Sequence, residues 1–185
     1  MARRSDERGE IPRDPLPRLT DALPSTVETR TEWFDSHCHL EDERFADDLD
    51  AVLKHMMTHS VTRCLLAGCS METSEKIVAM TADSAHDTEK NPTPMGRKQD
   101  SSYPTLYGAV GVHPHEARSF KMTDLDRLAG WLALPQVVAL GEIGLDYYYD
   151  HSPREVQRQA FIAQLDYAYE RGVPVILHIR DAHGL

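Results

Sequence analysis

From Glu32 onward the chain alternates between short apolar runs and longer segments whose apolar residues recur at helical spacing. The runs TEWFDSH, VTRCLLAGC, TLYGAVGVHPH, QVVALGEIGLD and VPVILHIRDA read as strands. VTRCLLAGC is apolar without alternation, the pattern of a strand buried on both faces. Between the strands, RFADDLDAVLKHMMTHS sets Phe45, Leu49, Val52, Leu53 and Met56 on one helical stripe. SMETSEKIVAMTADSA follows as a helix with capping chemistry at Ser70 and Glu72 or Thr73, and MTDLDRLAGWLAL as one opened by Thr123. SPREVQRQAFIAQLDYAYERG carries Ser152 at the cap, Pro153 at the first position and Gly172 beyond the end. Strict strand–helix alternation predicts a parallel sheet with helical crossovers. Two architectures satisfy it: a small open doubly wound sheet, or the first five strands of a (β/α)8 barrel, which typically needs about 250 residues. No glycine-rich phosphate loop follows the first strand, which weakens a dinucleotide-binding reading.

Two stretches fall outside this rhythm. Residues 1–31 hold six arginines, six acidic residues and four prolines with almost no periodicity, and read as a disordered tail or a misassigned gene start. This stretch lacks the apolar core of a secretory signal, and its acidic residues argue against a transit peptide. Residues 86–104, polar and with three prolines, read as an exposed insertion loop. Residues 32–185 are then the folded portion.

Composition narrows the function classes. A formal net charge of −10 argues against a broad basic face for nucleic acid, although bound divalent cations supply positive charge locally. No apolar run approaches the ~18 residues of a membrane span. Cys38, Cys64 and Cys69 have no CxxC spacing, so neither a disulfide framework nor a structural zinc knot is expected. A soluble protein of a reducing compartment, cytoplasmic or nuclear, is the expectation, with no stable protein partner inferred.

The chemistry-bearing residues fall on one rim. His37 and His39 lie just past the first strand, His113 and His115 past the third, Glu142 near the end of the fourth and His178 near the end of the fifth. In parallel α/β folds, ligands gather at the carboxyl ends of strands. His37 and His39, two apart on an extended segment, point the same way. A carboxylate on a neighbouring strand then reaches between two cations, and two cations about 3.5–4 Å apart orient and deprotonate a water while stabilising a leaving oxygen. Glu142 is the candidate bridge and His178 a ligand to the second ion. Each has a plainer reading: Glu142 as a paired structural charge, His178 as a core histidine satisfied by a carbonyl, the HPH pair as a turn stiffened by Pro114. By strand alternation Cys38 turns away from the histidine pair and packs inward. Tyr147, Tyr148 and Tyr149 either stack a nucleobase or cover a barrel rim.

The motifs FDSHCHL, GVHPH, GEIGLDYY and VPVILHIRDA, in this order, resemble those of the TatD-related deoxyribonucleases, metal-dependent hydrolases on a TIM barrel of the amidohydrolase-like superfamily. The resemblance runs from about Trp33 to His183. It implies a (β/α)8 barrel of which this chain holds about the first five strands and four helices. It implies further that His37 and His39 bind the first metal, that Glu142 bridges both, and that His178 binds the second. The ions would be Mg2+, Zn2+ or Mn2+, and the reaction hydrolysis of phosphodiester bonds in DNA by two-metal activation of water. Asp35 would support the histidine pair. His113 and Arg180 would lie near the scissile phosphate, with pairing to Asp146 the plainer reading of Arg180. The pattern also expects a histidine on strand six and an aspartate on strand eight, which this chain does not contain; His183 follows His178 too closely to serve. Two other readings stand beside this one. One is an amidohydrolase or lactonase acting on C–N or C–O ester bonds. The other is an inactive truncated product that self-associates through the edge of strand five.

Overall fold

The computed structural model describes residues 31–85 and 102–183; the tail expected at 1–31, save Thr31, and residues 86–101 of the expected insertion lie outside the described residues. Strands β1 (Trp33–Cys38), β2 (Val61–Ala67), β3 (Thr105–Val110), β4 (Val137–Asp146) and β5 (Val175–Arg180) alternate with helices α1 (Leu49–Thr58), α2 (Met71–Ala85), α3 (Asp124–Leu132) and α4 (Arg154–Arg171). The strands form one parallel sheet in the order β1-β2-β3-β4-β5. A doubly wound sheet reverses its strand order at a switch point; this order never reverses, so the sheet is a curled segment of a barrel.

The sheet is held by apolar layers that the two periodicities bring together. Cys64, Leu66 and Leu106 meet Ile77 of α2, with Phe45, Leu49, Val52, Leu53 and Met56 packed around them. Val110, Val137, Leu140 and Ile143 meet Leu128 of α3 and Ala168 of α4. Leu65, Ala109 and Ala139, with Tyr107 and Ile176, form a separate cluster on neighbouring strands. Burying each of the large side chains Leu66, Ile77, Leu140 and Ile143 contributes about 1.5–3 kcal/mol.

Three local expectations are corrected. The first helix is interrupted: Glu43–Phe45 form a separate 3-10 turn capped by Asp42, whose Oδ1 accepts from Arg44 N at 2.9 Å, and α1 begins only at Leu49. Burial of β2 on both faces holds from Cys64 to Ala67 only, because its start lies beside the exposed β1. Ser152 does not cap α4; its Oγ donates to His115 O at 2.9 Å, and the helix starts after Pro153. The expected end of α4 is found: Gly172 adopts φ 64°, and its N–H reaches the carbonyls of Ala168 and Tyr169.

The pairing slips where the rim residues stand. The β1–β2 register shifts between Asp35 and Cys38, and the β4–β5 register between Leu140 and Ile143. These irregularities enclose His37 and Glu142. Such bulges re-aim a side chain that regular pleating would hold elsewhere.

Candidate metal centre at the carboxyl rim

His37 Nε2 and His39 Nε2 lie 3.3 Å apart at the end of β1, as alternation requires of residues i and i+2. Glu142 stands across from them on β4, only 8% exposed. Its two oxygens face opposite ways: Oε2 lies 3.3 Å from His37 Nε2, and Oε1 lies 3.1 Å from His178 Nδ1 on β5. His178 Nε2 in turn lies 3.0 Å from Asp146 Oδ2, which His115 Nε2 also meets at 2.8 Å. The His113 ring packs edge-on against His178, with centroids 4.3 Å apart. Three ligand groups result, each with its donor atoms within 4.8 Å of one another: His37, His39 and Glu142; His113, Glu142 and His178; and His115, Asp146 and His178.

Hydrogen bonds fix which nitrogen each histidine offers. His113 Nδ1 accepts from His115 N at 3.2 Å, so its Nε2 carries the proton. Burial, then the neighbouring His178 and His115, lower the pKa of His113 to about 3, which keeps the ring neutral. His39 Nδ1 faces Glu41 Oε1 at 3.4 Å and Cys69 Sγ at 4.0 Å, which leaves Nε2 turned toward His37. Cys69 first, then Glu41, raise His39 to about 10 in the metal-free chain. Burial of Asp146 opposes its ionisation, but Tyr149 N, His115, His178 and Tyr148 N outweigh this and hold it below the usual carboxylate range.

This arrangement fits a bound cation. Two imidazole nitrogens and a carboxylate oxygen converge at 3.3 Å, a grouping that needs a proton or a metal among them. Glu41 Oε2 is buried without a hydrogen-bond partner among the described residues, leaving acceptor capacity beside His39. Imidazole and carboxylate donors together suit a divalent cation.

The lowered His113 sets a pH dependence. In the metal-free chain, unfolding restores its pKa from about 3 to the ordinary 6.5, so the unfolded state binds more protons between those values. Stability therefore falls as pH drops below about 6.5. Raised His39 acts in the other direction, its contribution fading only as pH rises toward about 10. In EDTA the urea midpoint is expected to be lower at pH 5 than at pH 6.5, and His113→Asn to reduce the difference. Equal midpoints in the wild-type chain would contradict this reading of His113.

His37, His39, Glu142 and His178 thus lie together on the rim, with His113 beside Glu142 and His178. The plainer reading of Arg180, pairing with Asp146, does not hold. Asp146 is occupied by His115 and His178, and the Arg180 guanidinium lies instead over the rings of Tyr148 and Tyr149, at 4.1 and 4.6 Å. Asp35 touches the pair through the backbone, accepting from His37 N at 3.2 Å. Cys38 turns away from the rim, donating to Leu65 O at 3.5 Å within the packing beneath α1.

Residues that sequence reasoning missed support the rim from behind. Gln157 Oε1 accepts from Asp146 N at 2.8 Å, and its Nε2 donates to Asp146 O and Ser152 O. Gln164 makes the same paired contact with Val112 N and O. The seven-residue spacing that puts both on the buried face of α4, with Ala160 between, was the available signal. Gln157→Leu strands two backbone groups at the end of β4 and the Ser152 carbonyl before α4, and is expected to cost about 1–3 kcal/mol, read from urea unfolding; a loss under about 0.5 kcal/mol would refute this support role.

A curled parallel α/β sheet with histidines and carboxylates converging on its carboxyl rim is the architecture of a metal-binding (β/α)8-type protein. The chain belongs to the TatD related DNase family, whose model matches residues 34–185. It is 32% identical over 149 residues to the "uncharacterized metal-dependent hydrolase YabD" of Bacillus subtilis, which covers 80% of this chain and 51% of that protein. It is 35% identical over 151 residues to the "3'-5' ssDNA/RNA exonuclease TatD" of Dickeya dadantii, covering 81% and 50%. The crystal structure of YJJV, a TatD homolog from Escherichia coli, superposes with a TM-score of 0.63 and 29% identity over 82% of this chain and 52% of that one. The chain spans about half the length of the curated relatives it matches. No described helix is long and apolar enough to cross a membrane.

Proposed function

We propose that this chain carries the N-terminal part of a metal-dependent phosphodiester hydrolase acting on DNA, with His37, His39, Glu142 and His178 as its metal ligands. One observation carries the reading: the two oxygens of Glu142 face His37 from β1 and His178 from β5, the disposition of a carboxylate shared by two ions. Divalent cations bound there would lower the pKa of water, neutralise phosphate charge and stabilise the leaving oxygen.

The protein's own residues supply position and proton control. His39 is oriented by Glu41 and His178 by Asp146, each through its second ring nitrogen, the usual way a carboxylate sets a metal-binding imidazole. His113, neutral and with its proton on Nε2, offers a hydrogen-bond donor to a phosphate oxygen beside Glu142. Arg180 offers a planar cationic edge on the same side of β5 as His178. The names of the TatD relatives, which specify single-stranded DNA and RNA, support a nucleic-acid substrate. The net charge of −10 is compatible with this, since the positive charge would come from the ions.

The test is metal content by mass spectrometry after dialysis against manganese or zinc, together with cleavage of labelled single-stranded DNA with and without EDTA. Retained divalent ion and EDTA-sensitive cleavage are expected. A chain that retains no ion and cuts no DNA overturns the proposal.

A further inference from the structure

The turn after β4 divides its three tyrosines unequally. Tyr147 is half-buried and covered by Arg154, which is itself tied to Asp150 at 2.7 Å. Tyr148 and Tyr149 are 58% and 51% exposed. Their backbone N–H groups both donate to Asp146 Oδ1, at 3.0 and 2.9 Å, while the other oxygen of that carboxylate meets His178 and His115. The ring of Tyr149 lies parallel to that of His151, at 5.5 Å and 2°. The Arg180 guanidinium caps Tyr148 and Tyr149, and among the described residues it has no carboxylate partner. The Tyr148 and Tyr149 rings stand nearly perpendicular, at 4.8 Å and 87°, so the outcome is an exposed cluster of flat groups with differently directed faces, fixed by the same buried aspartate that orients His178.

We infer that Tyr148, Tyr149 and Arg180 form a subsite for an unpaired nucleobase of a single strand, placed beside the candidate metal centre. Bases taken out of a duplex are bound by stacking on tyrosine rings and on arginine guanidinium planes. Arg180 supplies such a plane, and its N–H edge remains open to the adjoining phosphate. A base inside a duplex has both faces covered by its neighbours, so the subsite selects single strands. It tolerates any base, because every base has a flat face. The inference rests on the nucleic-acid reading above and adds the region that grips the strand.

The experiment is fluorescence anisotropy of a labelled oligothymidylate, and of an abasic oligonucleotide of equal length and charge, with the full chain in EDTA at low ionic strength. The wild-type chain is expected to bind the oligothymidylate on the order of 5- to 150-fold more tightly than the abasic strand. The double variant Tyr148→Ala, Tyr149→Ala loses that preference, whereas the Phe, Phe double variant keeps it. Arg180→Lys preserves charge without the plane and weakens the preference while retaining abasic binding. Equal binding of the two strands by the wild type, no binding of either, or a preference that survives the Ala, Ala change overturns the subsite. Failure of the hydrolase reading registers separately, as an absence of retained divalent ion with the base preference intact.

Discussion

Glu142→Gln is expected to reduce divalent-ion affinity by more than about 100-fold and to remove EDTA-sensitive DNA cleavage with it. Altering a residue that only orients a ligand costs about 10–100-fold in metal affinity, so losing a carboxylate proposed as a direct ligand costs more. Glutamine is nearly isosteric but brings no charge and keeps a single carbonyl oxygen, so it cannot face His37 and His178 as two equivalent acceptors. Its fold should survive, because Glu142 N still donates to Gly68 O at 2.7 Å. The measurement pairs metal titration with thermal melting of the same sample. A variant that melts like wild type and still binds metal at wild-type affinity would remove Glu142 from the centre.

The second large effect is expected from Gly144→Ala, and here the fold fails before the site. Gly144 pairs with His178 across β4 and β5, at φ 152°. A Cβ at this position would stand 1.8 Å from His178 O and 2.7 Å from His178 C. Both atoms belong to the backbone, so relief requires β5 to move away. We expect a loss of roughly 3–5 kcal/mol, among the larger single-residue effects, and a melting temperature lower by roughly 6–20 °C. Metal affinity should fall as well, since His178 travels with β5. Gly130→Ala is the control: it lies in α3 with nothing within 4 Å of the added carbon, and alanine there gains roughly 0.5–1 kcal/mol. A Gly144→Ala protein that melts within about 2 °C of wild type would show that the strands separate easily.

The alternation of strands and helices was legible because each segment's periodicity is local, and the two-residue spacing of His37 and His39 carries its own geometry. Glu142 and His178 were legible because a polar residue in the carboxyl half of an apolar strand stands out, although β4 runs on past Glu142 to Asp146 and β5 past His178 to Arg180. What the sequence left open depends on relations between strands. The slips around His37 and Glu142 are differences of register, which no single segment encodes. Pairing with Asp146 was the plainer of two readings of Arg180, yet two histidines and two backbone N–H groups occupy that carboxylate, and the guanidinium lies over the tyrosines. Gln157 and Gln164 were overlooked because their partners are backbone atoms, which carry no residue-specific signature.

Every strand in this sheet pairs only with its neighbours in sequence. On the ribosome, each newly emerged strand therefore finds its partner already waiting, and the sheet grows in the direction of synthesis. The rim is assembled on the same schedule. His37 and His39 at the end of β1 are made first, Glu142 follows on the fourth strand, and His178 arrives on the fifth. The four candidate ligands therefore share one rim only once β5 has paired with β4, and strand pairing precedes their convergence.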